Sequence, residues 1–504
     1  MNRKPIWQAL AGIALLAVGA LWVYASSREY VQRRVVAAAG ACRVDMIVVE
    51  KRQPPAQGNA GAVVLFHGLA ANKFIMSYLA RSFAELGLTV YVPDLPGHGR
   101  TAGPFTAQVA EACALSLLRG MSARGLLAPD RTILAGHSMG AAIALRVAPQ
   151  FRPAAVIALS PAPMRAAHGV TPEKLLYQDS PRILPNTLIT AGQFEPGGLS
   201  SNAADLVIGN SDPSIEFHRL PWQTHVSVLF SPGVARLSQA WAARVLQLPN
   251  PESVPSLLYF GGGLLGFAGI LLLAGPFLRE MTAQTTVAEA TDVNLPGWLR
   301  VVAEVIVVSL AVVFLLRFFI PLRVLGLFEG DYLASFFLLT GAILLLLHLK
   351  PAQARFAAKP SVLLTTAMAA LVLHLLVTGW FDLTITGAWL TWQRWERFPM
   401  FFLAAFVFLY AIEILLGPVT RPGKRLAMDY LVLLAAWLTV VFGTFVLHSG
   451  QILAVLLMPY FAVFFLFARL GTRLVRRRTG SPTAAAIFGA ILLAGFCLVL
   501  FPVS

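Results

Sequence analysis

A chain of 504 residues with 57% hydrophobic and only 12% charged residues departs from ordinary soluble proteins, in which about a quarter of residues carry charge. A formal net charge of +15 would suit a nucleic-acid partner. However, the basic residues are scattered or lie in short loops between apolar segments, where the positive-inside rule places them, so no nucleic acid is implied. The apolar excess sits in a short N-terminal segment and after about Pro255, and the stretch between reads as a globular domain.

Residues 6–25 form an apolar run long enough to cross a bilayer, preceded by Arg3 and Lys4. A cleaved signal peptide competes with an anchor here, because Ala25, Ser26 and Ser27 supply small residues at a cleavage point. The run exceeds the usual signal core, which favours an uncleaved anchor, with residues 1–43 read as anchor and linker. From about 44 to 248, β-rich runs alternate with helical segments, the pattern of an α/β fold with a mostly parallel sheet and flanking helices. Residues 62–66, 88–92, 132–135, 155–159, 187–190 and 215–220 read as strands, and 72–86, 107–123 and 140–148 as helices. Pro249, Pro251 and Pro255 then mark a linker, so that 249–504 is a separate helical membrane domain.

About eight apolar spans follow, near 256–277, 300–321, 332–349, 361–380, 399–417, 427–448, 450–469 and 483–503. Each approaches the ~20 residues that cross ~30 Å of hydrocarbon. Lys350, Arg355 and Lys359 mark one basic loop; Arg421, Lys424 and Arg425 a second; Arg473, Arg476, Arg477 and Arg478 a third. These are alternate loops and therefore share one side, expected to be cytoplasmic. The opposite loops carry Glu329 and Asp331, or Asp382 among Trp380, Trp389, Trp392 and Trp395, a set resembling an interfacial aromatic belt. Counting back puts the globular domain outside, in an integral protein of a bacterial inner or plasma membrane. Arg28, Arg33 and Arg34 oppose that orientation, and the 278–299 loop is nearly neutral. Glu304, Arg317, His374 and Glu413 fall inside spans, where ionisable groups are costly. Without a repeat or an interrupted helix pair, anchoring or docking is the expected role. Cys497 reads as a buried apolar residue, whereas Cys42 and Cys113 pair only if the domain is extracytoplasmic and the fold brings them together.

The strongest chemical signal is Gly136-His137-Ser138-Met139-Gly140, a G-x-S-x-G pattern between a predicted strand and a predicted helix. That is the setting of a nucleophile elbow: Ser138 sits on a sharp turn that small neighbours permit. At the helix N-terminus, Ser138 also meets partial positive charge that favours an oxyanion. Upstream, an apolar strand ends in His67-Gly68-Leu69. The N–H groups of Leu69 and Met139 are the candidate oxyanion hole, with His67 in a structural role.

The ordered set of His67-Gly68-Leu69, then Pro93-Asp94-Leu95-Pro96-Gly97-His98-Gly99-Arg100-Thr101, then Gly136–Gly140 resembles the α/β-hydrolase superfamily, in its monoglyceride-lipase and serine-aminopeptidase-like branch. The resemblance covers about 44–248 and none of the later region. It implies structural roles for Asp94 and His98. It also implies an acid three residues after the glycine that ends a late strand, which is Glu195 after Gly192, with Asp205 and Asp212 as alternatives. The base is implied at His225, after the 215–220 strand, because His218 lies within that strand and His168 precedes the acid. Ser138, Glu195 and His225 then stand in the chain order such folds use. The short 161–185 connection, with five prolines, implies a small stiff flap rather than a helical lid. The expected activity is hydrolysis of an ester, thioester or amide through an acyl-enzyme on Ser138, with a lipid, acylated envelope compound or small ester as substrate and no metal or organic cofactor implied. The competing expectation is an inactive binding or sensory domain that regulates a transporter-like membrane region.

Overall fold

The computed structural model describes residues 4–40, 42–53, 61–162, 181–195, 197–249, 253–282, 298–320, 324–348, 359–416 and 422–504. The expected flap falls largely at 163–180, outside the described residues. The chain forms two compact units. One comprises 18–264 with two remote segments, 381–388 and 502–504; the other comprises 1–17, 265–380 and 389–501.

The first unit is built on an eight-stranded sheet, in which β1 (Tyr30–Ala39), β2 (Cys42–Lys51), β4 (Thr89–Pro93), β3 (Ala62–Phe66), β5 (Thr132–His137), β6 (Ala155–Leu159), β7 (Thr187–Gly192) and β8 (Ile215–Leu220) stand side by side in that order. The central strands β3 (Ala62–Phe66), β5 (Thr132–His137) and β6 (Ala155–Leu159) are buried at every position. Parallel strands covered on both faces require such continuous apolar runs instead of alternation. β4 (Thr89–Pro93), β7 (Thr187–Gly192) and β8 (Ile215–Leu220) extend the parallel set. Helices α2 (Ser77–Ala84) and α6 (Pro232–Leu246) bury Tyr78, Phe83 and Trp241 with Val63, Val90 and Ile133. Each such side chain contributes roughly 1.5–3 kcal/mol on leaving water. Helices α3 (Ala107–Ala123) and α4 (Met139–Phe151) pack against each other.

Two features differ from the sequence expectation. Residues 28–43, read as linker, contain β1 (Tyr30–Ala39), which pairs antiparallel with β2 (Cys42–Lys51) along its whole length. Its exposed side chains hide the strand pattern. Arg33 meets Glu50 at 2.7 Å and Arg34 pairs with Asp45, so the basic cluster decorates a sheet edge in the manner that protects edge strands. The helix expected over 72–86 is split. The Asn72 side chain caps a 3₁₀ turn at Lys73–Met76, and α2 begins only at Ser77. Buried Lys73 is held there by Asp94, whose Oδ1 also accepts the Lys73 N–H at 2.8 Å. Cys42 and Cys113 form a disulfide joining β2 to α3, with Cα atoms 5.2 Å apart.

The helices of the second unit complete, with the segment Pro5–Ser27, nine among the described residues long and apolar enough to cross a membrane. Eight follow the sheet: Leu258–Met281, Leu299–Phe318, Gly330–Leu347, Pro360–Thr384, Trp392–Leu415, Leu426–Val446, Met458–Thr479 and Pro482–Leu500. The span expected at 450–469 is displaced. A short helix, Ile452–Leu456, precedes it, and a new helix starts at Met458 with Pro459 in its first turn, a position proline favours. That helix continues through a basic last turn that a hydropathy window cuts off. Among these helices Arg469 bonds Glu413 at 2.5 Å and Asp429 at 2.9 Å, and His348 meets Glu304 at 2.5 Å.

Candidate active site

Parallel sheets of this kind gather functional groups at the carboxyl ends of their strands, and the candidate residues lie there. At the end of β5, Ser138 adopts φ 53° and ψ −117°, a conformation that costs a non-glycine residue roughly 1–3 kcal/mol. The surroundings over-determine it. The Ser138 N–H donates to the Leu159 carbonyl at 2.9 Å, and the Ala162 N–H donates to the Ser138 carbonyl at 3.0 Å. A Cβ on Gly136 would lie 2.3 Å from the Gly140 carbonyl oxygen, and one on Gly140 would lie 2.2 Å from that of Phe66. Both glycines are therefore steric requirements of the turn.

His225 follows β8 in a loop locked by reciprocal bonds: Thr224 N–H to Ser227 Oγ at 2.8 Å and Ser227 N–H to Thr224 Oγ1 at 3.2 Å. Its Nε2 stands 2.9 Å from Ser138 Oγ. On the other side of the ring, Nδ1 is 3.6 Å from Glu195 Oε2, close for an ion pair and long for a hydrogen bond. Glu195 follows β7, and its Oε1 accepts the Gly192 N–H at 2.7 Å and the Ser160 hydroxyl. Burial acts to raise the Glu195 carboxyl. The adjacent His225 ring, with the Ser160 hydroxyl and the Gly192 N–H, outweighs it and holds the carboxyl below its ordinary value. All three side chains are buried.

The alternatives lie elsewhere. Asp212 bonds the Ser214 N–H and hydroxyl in its own turn, and His218 pairs with Glu216. Asp205 ends the helix Gly197–Asp205, with no bond to His225. His168 is outside the described residues. Asp94 anchors Lys73 and accepts the Arg100 N–H at 2.8 Å, while His98 bonds the Pro96 carbonyl at 3.0 Å.

The candidate oxyanion loop at 67–69 crosses directly over the serine: a Cβ on Gly68 would be 3.2 Å from Ser138 Cβ and 3.0 Å from His137 Nδ1. This brings the backbone leading to Leu69 beside the first turn of α4, where Met139 begins the helix with an N–H that has no intrahelical acceptor. His67 uses both ring nitrogens on backbone. Nδ1 donates to the Gly68 carbonyl at 2.8 Å, and Nε2 accepts the Leu95 N–H at 3.0 Å. Burial pushes its pKa down.

Two contributions escaped sequence reasoning. Ser160 grips the candidate acid from the end of β6; a polar residue terminating an all-apolar strand at the functional edge was the available signal. His137 holds the candidate base, donating from Nε2 to the His225 carbonyl at 2.6 Å, with the two rings 4.9 Å apart. Burial, with the neighbouring His225, pushes the His137 pKa down to about 3, so it stays neutral.

The sheet order, elbow and loop arrangement are those of the α/β-hydrolase fold. Residues 63–308 match the model of the alpha/beta hydrolase family. Proteins described as uncharacterized from two strains of Mycobacterium tuberculosis are each 33% identical over 109 residues, which is 21% of this chain and 39% of theirs. The chain thus spans about two fifths of the length of the curated relatives it matches. Among solved structures, an α/β serine hydrolase without a lid from Xanthomonas campestris is similar at 18% identity, covering 43% of this chain and 95% of that one, with a TM-score of 0.35. A thermophilic carboxylesterase cloned from a metagenomic library is similar at 16% identity, covering 46% and 95%, with a TM-score of 0.36.

Proposed function

We propose that this chain is a membrane-bound serine hydrolase that cleaves an ester, thioester or amide through an acyl-enzyme on Ser138. The carrying observation is the 2.9 Å approach of His225 Nε2 to Ser138 Oγ, with Glu195 behind the ring. In this reading His225 takes the serine proton as Oγ attacks the substrate carbonyl carbon. Glu195 holds the Nδ1–H tautomer and stabilises the imidazolium that forms. The N–H groups of Leu69 and Met139 bind the tetrahedral oxyanion. Collapse expels the leaving group with the proton from His225; water, deprotonated by the same imidazole, then releases the acid and restores Ser138.

The tether favours a lipid or acylated envelope compound as substrate. Three observations support an extracytoplasmic hydrolase. The basic loops alternate along the chain. The disulfide Cys42–Cys113 suits an oxidising compartment. Segments 381–388 and 502–504, which follow spans on the side opposite those loops, pack in the same unit as the sheet. The test is turnover of p-nitrophenyl esters by the purified full-length protein. Ser138→Ala is expected to lower kcat at least ~10⁴-fold, and retention of turnover by that variant overturns the proposal.

A further inference from the structure

The oxyanion loop and the turn after β4 are bonded to chain that lies far downstream in sequence. Asn72, five residues beyond His67, is buried. Its side-chain amide brackets one residue 315 positions away: Nδ2 donates to the Gly387 carbonyl at 2.9 Å, and Oδ1 accepts the Gly387 N–H at 3.3 Å. The same Oδ1 accepts the Phe74 N–H at 3.0 Å, so one side chain both caps the turn after the oxyanion loop and grips Gly387. A Cβ on residue 387 would lie 2.9 Å from the Phe74 ring and 3.2 Å from Asn72 Oδ1, so the approach needs glycine.

The turn after β4 is held in a similar way. The Val503 N–H donates to the Gly97 carbonyl at 2.9 Å, and the Phe105 N–H donates to the Val503 carbonyl at 2.7 Å, a short backbone bridge to residues 97–105. Gly97 has φ +74°, and a Cβ there would lie 2.3 Å from the Val503 carbonyl oxygen. Arg100 forms an ion pair with Asp382. The two fastened loops are also joined to each other, because His67 accepts the Leu95 N–H and its ring lies 5.1 Å from that of His98.

We infer that residues 381–388 and 502–504 are positioning elements of the hydrolase, setting the placement of the Leu69 N–H that receives the oxyanion. The inference rests on the proposed serine-hydrolase function. Asn72, Gly387, Asp382 and Val503 touch no reacting atom; they act through the 67–72 and 94–105 loops. An oxyanion donor acts on the transition state and contributes to kcat, and a displacement of about 1 Å at a catalytic group lowers rate by up to ~10²-fold. Loosening this clasp therefore lowers kcat while leaving the Ser138–His225 pair, which other elements hold.

The experiment uses the full-length protein in detergent with p-nitrophenyl acetate as probe. Three changes weaken the clasp: Asp382→Asn, Gly387→Ala, and removal of residues 502–504. A charge exchange, Arg100→Asp with Asp382→Arg, tests the ion pair as a pair. Each weakening variant is expected to lose about tenfold or more in kcat, with KM within about twofold and the midpoint of the acid limb of the pH–rate profile unmoved; the exchange should recover most of the loss seen in Arg100→Asp alone. Asp382→Asn removes one charge and leaves the side chain's size unchanged, which keeps the test readable if the truncation folds poorly. Folded variants that keep kcat within about twofold overturn the inference alone. A wild-type protein without Ser138-dependent turnover overturns the proposed function and this inference with it.

Discussion

His137 allows a prediction whose size follows from ionisation alone. The ring is buried, its Nε2–H is bonded to the His225 carbonyl, and its pKa is pushed down to about 3 from an ordinary 6.5. Between those two values the unfolded chain binds a proton at residue 137 that the folded chain refuses. Stability therefore rises with pH across this window and is lost as pH falls below the unfolded value. Moving from pH 7.0 to 5.5 should cost about 1 kcal/mol at this residue, several-fold in the folding equilibrium. His137→Gln places an amide N–H where Nε2–H donates and does not titrate, so it should lose none of that amount. Buried His67, also pushed down in pKa, is present in both proteins and cancels in the comparison. The assay is resistance to pulse proteolysis across a urea series at the two pH values. The wild type should lose about 1 kcal/mol more than the variant on acidification. Equal pH sensitivity in the two proteins would refute the reasoning.

Ser160→Ala removes one of two donors to Glu195 Oε1. A hydrogen bond to a charged group contributes ~1.5–3 kcal/mol, so kcat for p-nitrophenyl acetate should fall roughly 10- to 100-fold with little change in KM. Gly140→Ala places a methyl group against the Phe66 carbonyl and should abolish turnover even where the protein remains folded; steady-state kinetics on monodisperse material decides this. Replacing Cys42 and Cys113 by serine opens a bridge across a 71-residue separation and should lower stability by at most about 4 kcal/mol, read from the same urea series. A reporter fused after Ser504 should behave as extracytoplasmic: alkaline phosphatase active, green fluorescent protein dark.

The buried strands and most spans were legible because long apolar runs leave few alternatives. Ser138 was legible because the turn it occupies demands glycine at 136 and 140, and the candidate acid and base through the family resemblance, which implies an acid three residues after Gly192 and a histidine after the next strand. What could not be read follows from long-range pairing. β1 is an edge strand whose apolar residues are split by Gln32, Arg33 and Arg34 and mostly exposed, so no alternation marks it. Ser160 and His137 matter through partners 35 and 88 residues away, and Gly387 through one 315 residues away. A polar residue ending an apolar strand hints at Ser160, but no local pattern marks the partners of His137 and Gly387. The helix from Met458 was misplaced because hydropathy follows composition, whereas Pro459 determines where a new helix starts.

The account stands most directly on whether Ser138 is a nucleophile activated by its neighbours. Incubating the full-length protein with a fluorophosphonate and mapping the adduct by peptide mass spectrometry tests this. The expected result is one covalent adduct on the peptide containing residue 138, formed far more slowly after His225→Ala. No adduct, or one on a different serine, would contradict it.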